Sequence, residues 1–162
     1  MNRKFILDAT AGYREMWYNK EHPNTIYLDI NPECKPDIIG DFRDLKQFKD
    51  KSFKLIVFDP PHQSGKAQTG WLAKKYGKLN FNTIHKDFYK AFKELYRVLE
   101  DYGILIFKWN TAQIRKERIL ALTDNWKPLF GQKTAYKTKH SSSTYWFCFM
   151  KIPKEEIQNK VK

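Results

Sequence analysis

Four short apolar runs near the start of the chain each stop at an aspartate, and no other feature restricts its fold as much. Lys4-Phe5-Ile6-Leu7 leads into Asp8, Ile26-Tyr27-Leu28 into Asp29, the stretch 37–40 into Asp41, and Phe53-Lys54-Leu55-Ile56-Val57-Phe58 into Asp59. Short apolar runs bounded by turn residues read as buried strands. In an open α/β sheet, ligands gather at the carboxyl edge of the strands. The expectation is therefore an α/β domain with carboxylates along one rim. Singly, Asp8 and Asp29 also read as caps or strand-end turn residues, and Asp41 or Asp44 as a helix-start acid. Their order as a set carries the reading.

The first run is followed by Asp8-Ala9-Thr10-Ala11-Gly12, and residues 13–20 read as a helix. Strand, small-residue turn and helix N-terminus form a cradle for a nucleotide-like cofactor. Asp29 ends the second strand, where the ribose hydroxyls of such a cofactor are held. The fourth run is cut off by Asp59-Pro60-Pro61-His62. The prolines fix their own φ and restrict the residue before each, so the strand ends in a rigid corner. A carboxylate stands at its start and a flat ring at its end. Such a corner suits alkylation of an amino group on an aromatic ring, whose lone pair is delocalised until the nitrogen is drawn toward sp3 geometry. Ionised Asp59, which only accepts hydrogen bonds, takes one N–H and the Pro60 carbonyl takes the other. His62, beside Pro61, offers a surface for an extruded base. The plain alternative is a strand that ends in an Asx-Pro turn.

In linear order these segments resemble the motifs of class I S-adenosylmethionine-dependent methyltransferases that modify nucleobase amino groups. Asp8 to Gly12 looks like motif I, Asp29 like motif II, Asp41 like motif III, and Asp59-Pro60-Pro61-His62 like the Asp/Asn/Ser-Pro-Pro-aromatic motif IV. The likeness covers about the first 62 residues. It implies a Rossmann-like domain, S-adenosylmethionine as cofactor without a metal, and N-methylation of adenine N6, ahead of cytosine N4 and guanine N2. It also implies that Asp8, Ala9 and Gly12 lie near the methionine part of the cofactor, Asp29 at the ribose diol, Asp41 and the Phe42 backbone at its adenine, and Asp59 between cofactor and base. Two departures stand out. Motif I usually carries several glycines and here keeps only Gly12, which requires a different backbone path. His62 replaces the commoner Tyr, Phe or Trp.

The remaining chain fits one domain over residues 1–153 and a charged, frayed tail at 154–162. Net charge is +12, and residues 60–86 and 125–154 hold no acid, which suits a polyanionic partner. Residues 62–81 read as a substrate loop in which Lys66, Lys74, Lys75 and Lys78 meet phosphates and Trp71 and Tyr76 stack on bases. The alternative is a lid whose lysines only face water. Lys127, Lys133, Lys137, Lys139 and Lys151 either extend the same patch or lie elsewhere. Asn82 or Thr83 caps a helix with the apolar stripe Ile84, Phe88, Ala91, Phe92, Leu95, Val98 and Leu99, closed by Asp101-Tyr102-Gly103. A strand from Ile104 leads to Lys108 and Asn110, which contact substrate, order the corner, or merely trim the strand. Thr111 reads as the cap of a helix reaching about Leu122, and 126–130 and 144–150 as closing strands. The expected sheet has seven strands, mainly parallel with an antiparallel last strand, and few helices.

Cys34 and Cys148 show no metal or redox spacing, which fits a reducing, cytoplasmic setting, and no segment is long and apolar enough for a membrane. No segment has the length of a separate target-recognition region. RNA, loosely selective or single-stranded DNA, or a partner protein that supplies recognition therefore remain. The rival classes are a small-molecule or protein N-methyltransferase and a non-catalytic nucleic-acid binder on the same scaffold.

Overall fold

A computed structural model of the protein describes residues 3–61, 79–80, 82–111, 114–123, 125–134 and 143–158. Seven strands form one sheet: β1 (Ile6–Asp8), β2 (Thr25–Asp29), β3 (Ile38–Ile39), β4 (Phe53–Phe58), β5 (Leu99–Asn110), β6 (Trp126–Lys133) and β7 (Thr144–Lys151). Their spatial order is β3-β2-β1-β4-β5-β7-β6. Every pair among the first five is parallel, and β7 runs antiparallel between β5 and β6. The expected α/β architecture with one antiparallel strand is the one observed. Helices are few among the described residues: α1 (Ile84–Val98), α2 (Lys116–Leu120), α3 (Lys154–Gln158) and a 3-10 turn at Pro32–Cys34.

α1 packs its apolar stripe into the core against the sheet. Its residues Ile84, Phe88, Ala91, Phe92, Leu95 and Val98 recur at helical spacing, and all are buried. They meet an aromatic layer from the strands. Phe58 stacks on Phe107 at 5.6 Å between ring centroids, and Trp109 meets Phe88 edge-on at 5.2 Å. Trp109 Nε1 is satisfied by the Ile114 carbonyl at 3.0 Å, so the indole costs no unpaired donor. Phe88 is fully buried and touches rings from β4, β5 and α1 itself. Phe88→Ala is expected to lower stability by about 3–5 kcal/mol, read as a shifted urea midpoint at unchanged slope.

Several expected elements take another form. Residues 13–20 are turns rather than a helix. Arg14 has φ 56, its guanidinium bonds the carbonyls of Lys20 and Lys35, and it lies 4.0 Å over the Tyr27 ring. These tertiary contacts hold the segment in a form that weak helix propensity cannot override. Asp101-Tyr102-Gly103 does not separate helix from strand, because β5 already begins at Leu99. Instead, residues 100–103 bulge opposite the single residue Lys54, between the pairs Phe53–Leu99 and Leu55–Ile104. Gly103 is needed there, since a Cβ would lie 2.8 Å from the Glu100 carbonyl.

Thr83 precedes α1 without a side-chain cap to the backbone; its hydroxyl donates to Asp87 Oδ2 at 2.7 Å. Thr111 caps no helix. Its hydroxyl and backbone N–H both donate to the Ser143 carbonyl, extending the β5–β7 pairing, and the following helix is only Lys116–Leu120. The start of the tail is helical as α3, anchored by a Tyr102–Glu156 hydrogen bond. Lys151 does not join a surface patch. It is 4% exposed and donates to the Leu99 carbonyl at 2.7 Å, over the Tyr96 ring. Burial pulls its pKa below the usual lysine value, against the opposing effect of Asp101.

Candidate active site

Sheet order brings the strand-end aspartates together. Because β3, β2, β1 and β4 are consecutive, Asp41, Asp29, Asp8 and Asp59 stand at neighbouring carboxyl ends on one rim. Asp8 pairs in register with Tyr27 and Val57, so Asp29 and Asp59 each lie two residues further along their strands.

Asp8 is 1% exposed; its Oδ2 accepts Trp17 Nε1 at 2.7 Å and its Oδ1 accepts Thr10 N at 3.2 Å. Burial pushes its carboxyl from 3.8 up to about 7; the two hydrogen bonds oppose this, and the charges of Asp59 and Asp29 add to it. Ala9 is buried, its N–H on the Val57 carbonyl at 3.0 Å. Gly12 N–H donates to Asp29 Oδ2 and Asn31 N–H to Asp29 Oδ1, each at 2.8 Å. Gly12 has φ +49, and a Cβ there would meet nothing within 4 Å. Glycine therefore serves the left-handed backbone, not a shortage of room.

Asp41 is chelated by Arg43, with Nε at 2.9 and 3.0 Å from its two oxygens, and Arg43 continues to Asp87 of α1 at 3.3 Å. Burial pushes the Asp41 carboxyl up, but the hydrogen bonds and charge of Arg43 outweigh it and hold the group below the usual carboxylate value. Phe42 turns its ring against Phe58 at 5.2 Å.

The corner after β4 is tied from two sides. Asp59 N–H donates to Thr10 Oγ1 at 2.8 Å, which joins it to the loop after β1. Lys108 Nζ donates to Asp59 Oδ2 at 2.7 Å from the adjacent strand β5 and lies 5.4 Å from the Trp146 ring centroid. Pro60 is buried and Pro61 half-buried. Asn110 points its amide to Thr144 Oγ1 at 2.9 Å, toward β7. His62, Lys66, Trp71, Lys74, Lys75, Tyr76 and Lys78 lie outside the described residues, as do Lys137 and Lys139. Lys127 and Lys133 are exposed on β6.

Sequence reasoning missed three residues of this rim. Thr10 is a hydroxyl within a loop, Trp17 falls in a stretch that reads as a helix, and Arg43 stands two residues from Asp41. The Asp-x-Arg spacing was the one visible signal.

As a donor set, the rim fits a cationic nucleoside. Asp59 and Asp29 act on Asp8 through space, so the local field favours a positive charge. Asp29, ordered by two backbone N–H groups, retains acceptor sites for a diol. Among the described residues no group of His, Cys, Asp and Glu could hold a metal ion, and no helix is long and apolar enough to cross a membrane.

No protein-family model and no curated protein matches the chain. Solved structures do. The PH0226 protein from Pyrococcus horikoshii superposes with TM-score 0.65 at 14% identity, over 93% of this chain and 82% of that one. An S-adenosylmethionine-dependent methyltransferase from Methanosarcina mazei gives TM-score 0.60 at 12% identity, over 94% of both chains. An rRNA methylase from Streptococcus thermophilus gives 0.56 at 9% identity, over 94% of this chain and 89% of that one. Identities this low establish a shared fold, and the chemistry has to be argued from the site.

Proposed function

We propose that this protein is an S-adenosylmethionine-dependent N-methyltransferase acting on the exocyclic amino group of a nucleobase, adenine N6 first, in RNA or DNA. The observation that carries this reading is the Asp59-Pro60 corner, held by Thr10 and Lys108 on the rim that also bears Asp8 and Asp29. The similar fold of an rRNA methylase and the net charge of +12 support a polynucleotide substrate.

When bound, S-adenosylmethionine supplies a methyl group made electrophilic by its sulfonium. Asp29 with the Gly12 N–H holds the ribose end of the site, and Asp41 with the Phe42 backbone holds the adenine end. Asp8 offers a buried carboxylate toward the cationic end. Asp59 would accept one N–H of the substrate amine and the Pro60 carbonyl the other, which would free the nitrogen lone pair. The nitrogen's surplus proton would leave through Asp59. Lys108 fixes that carboxylate in rotation through its bond to Oδ2. His62 and the loop lysines and aromatics at 66, 71 and 74–76 take the extruded base and its flanking phosphates.

The test is incubation with radiolabelled S-adenosylmethionine and total cellular RNA or DNA, followed by nucleoside mass spectrometry. A labelled N6-methyladenosine or its deoxy form is expected. Cofactor binding without label in either polymer would move the substrate to a small molecule or protein. A protein that binds no cofactor would be a non-catalytic scaffold.

A further inference from the structure

The outer face of α1 separates its charges by sign. Its acids are engaged: Asp87 with Arg43 at 3.3 Å, and Glu94 with Arg97 at 2.8 Å and with the Leu45 N–H at 3.0 Å. Its lysines are not. Lys86, Lys90 and Lys93 are exposed and form no ion pair among the described residues. Their spacing of i, i+4 and i+7 sets them on one side of the helix over about 10 Å. Tyr89, 57% exposed, stands among them on the same side.

The surface opposite is charge-paired, with Arg43 engaged by Asp41 and Asp87 and Lys46 by Asp44. Arg43 and Lys46, from the connection between β3 and β4, face Lys90 and Lys93 across an open cleft of about 640 Å³. Asp44, the acid on that wall, is paired with Lys46 at 3.0 Å. With each acid of the cleft neutralised, the uncompensated charge is positive.

The stripe also begins at the rim. Phe88 packs against Phe58, the residue before Asp59, with ring centroids 6.0 Å apart, and Asp87 reaches through Arg43 to Asp41. A chain leaving the Asp59 corner across this helix meets Lys86 first, then Lys90 and Lys93.

We infer that the Lys86–Lys90–Lys93 stripe and the cleft beside it are a docking track for the sugar–phosphate backbone of the polynucleotide whose base enters at Asp59. This rests on the proposed function and adds where the flanking nucleotides lie. Lysines as point charges with an interleaved ring bind a strand by phosphate attraction and base stacking, without reading sequence. The track therefore supplies affinity, and selection is left to the corner.

The test is fluorescence anisotropy with labelled single-stranded RNA and DNA of about 20 nucleotides, titrated between 50 and 200 mM salt. K86Q/K90Q/K93Q is compared with wild type and with K20Q/K54Q/K154Q, which removes the same charge from exposed sites elsewhere. The α1 variant is expected to bind about 10-fold or more weaker at low salt. Its log–log salt slope should shrink by about 2, from roughly 0.7 per lost single-strand phosphate contact. The control variant should keep the wild-type slope, and both should retain S-adenosylmethionine affinity by calorimetry. An unchanged slope in the α1 variant, or equal losses in both variants, would overturn the track and leave the proposed function standing. A wild-type protein that binds neither polymer would overturn both. The stronger arm identifies the polymer.

Discussion

Asp59→Ala is expected to reduce methyl transfer by about 10³-fold while the dissociation constant of S-adenosylmethionine stays within about threefold. Asp59 is proposed to act on the substrate amine, so its loss removes an interaction made mainly in the transition state and should appear in kcat. Removing the carboxylate also leaves Lys108 without its partner at 2.7 Å, and a change in fold could imitate a catalytic loss. Asp59→Asn keeps the shape and one acceptor, and should be nearly as inactive because it lacks the charge. Calorimetry separates the cases. Cofactor binding retained in both variants supports the catalytic role, whereas binding lost together with transfer would make Asp59 a structural residue of the rim.

The second large effect concerns acidity. Asp8 is a buried acid whose pKa is raised from 3.8 to about 7. Below pH 3.8 it is neutral in both the folded and the unfolded chain and contributes no pH dependence. Between there and about 7 the unfolded chain ionises first and binds fewer protons, so this group makes stability fall as pH rises. Above about 7 both forms are ionised and the whole penalty is present, on the order of 4 kcal/mol at roughly 1.4 kcal/mol per pH unit. Asp8→Asn should remove this trend. Subtracting its urea-unfolding profile from that of wild type should give near zero at pH 4 and a deficit in wild type of several kcal/mol at pH 8. A flat difference would mean that Asp8 is not held as an uncomfortable anion. A cationic ligand beside Asp8 should reverse the preference, so binding near pH 7 should release part of a proton, measurable as buffer-dependent heat.

The rim was readable from the sequence because its signals are local and redundant. A hydrophobic run followed by Asp reports a strand end without knowledge of the partner strand, and Pro60-Pro61 marks the corner regardless of context. The order of the runs then sufficed for the parallel half of the sheet. Other features depend on groups far away in sequence. The stretch 13–20 is composed like a helix, yet Trp17 is drawn to Asp8 and Arg14 to Tyr27, Lys20 and Lys35. Asp101-Tyr102-Gly103 has turn composition, but it is absorbed as a bulge because β5 keeps pairing with β4 on both sides of it. Lys108 was a candidate with three readings, and only the register of β4 against β5 sets it on Asp59. Thr10 offered even less, since a hydroxyl in a loop does not reveal which amide it will accept.

Among the described residues β7 is the last strand in sequence, yet it lies between β5 and β6. During synthesis, everything through β6 leaves the ribosome before the strand that joins β6 to the rest. Until residues 144–151 emerge, Trp126 lacks Phe149, and Lys108 lacks the Trp146 ring beside it. A nascent chain stalled short of that point carries the parallel half of the sheet with an open flank. The Asp59 corner thus acquires its final surroundings only when translation passes β7, so a messenger cut within that stretch should yield a product that chaperones retain and proteases remove.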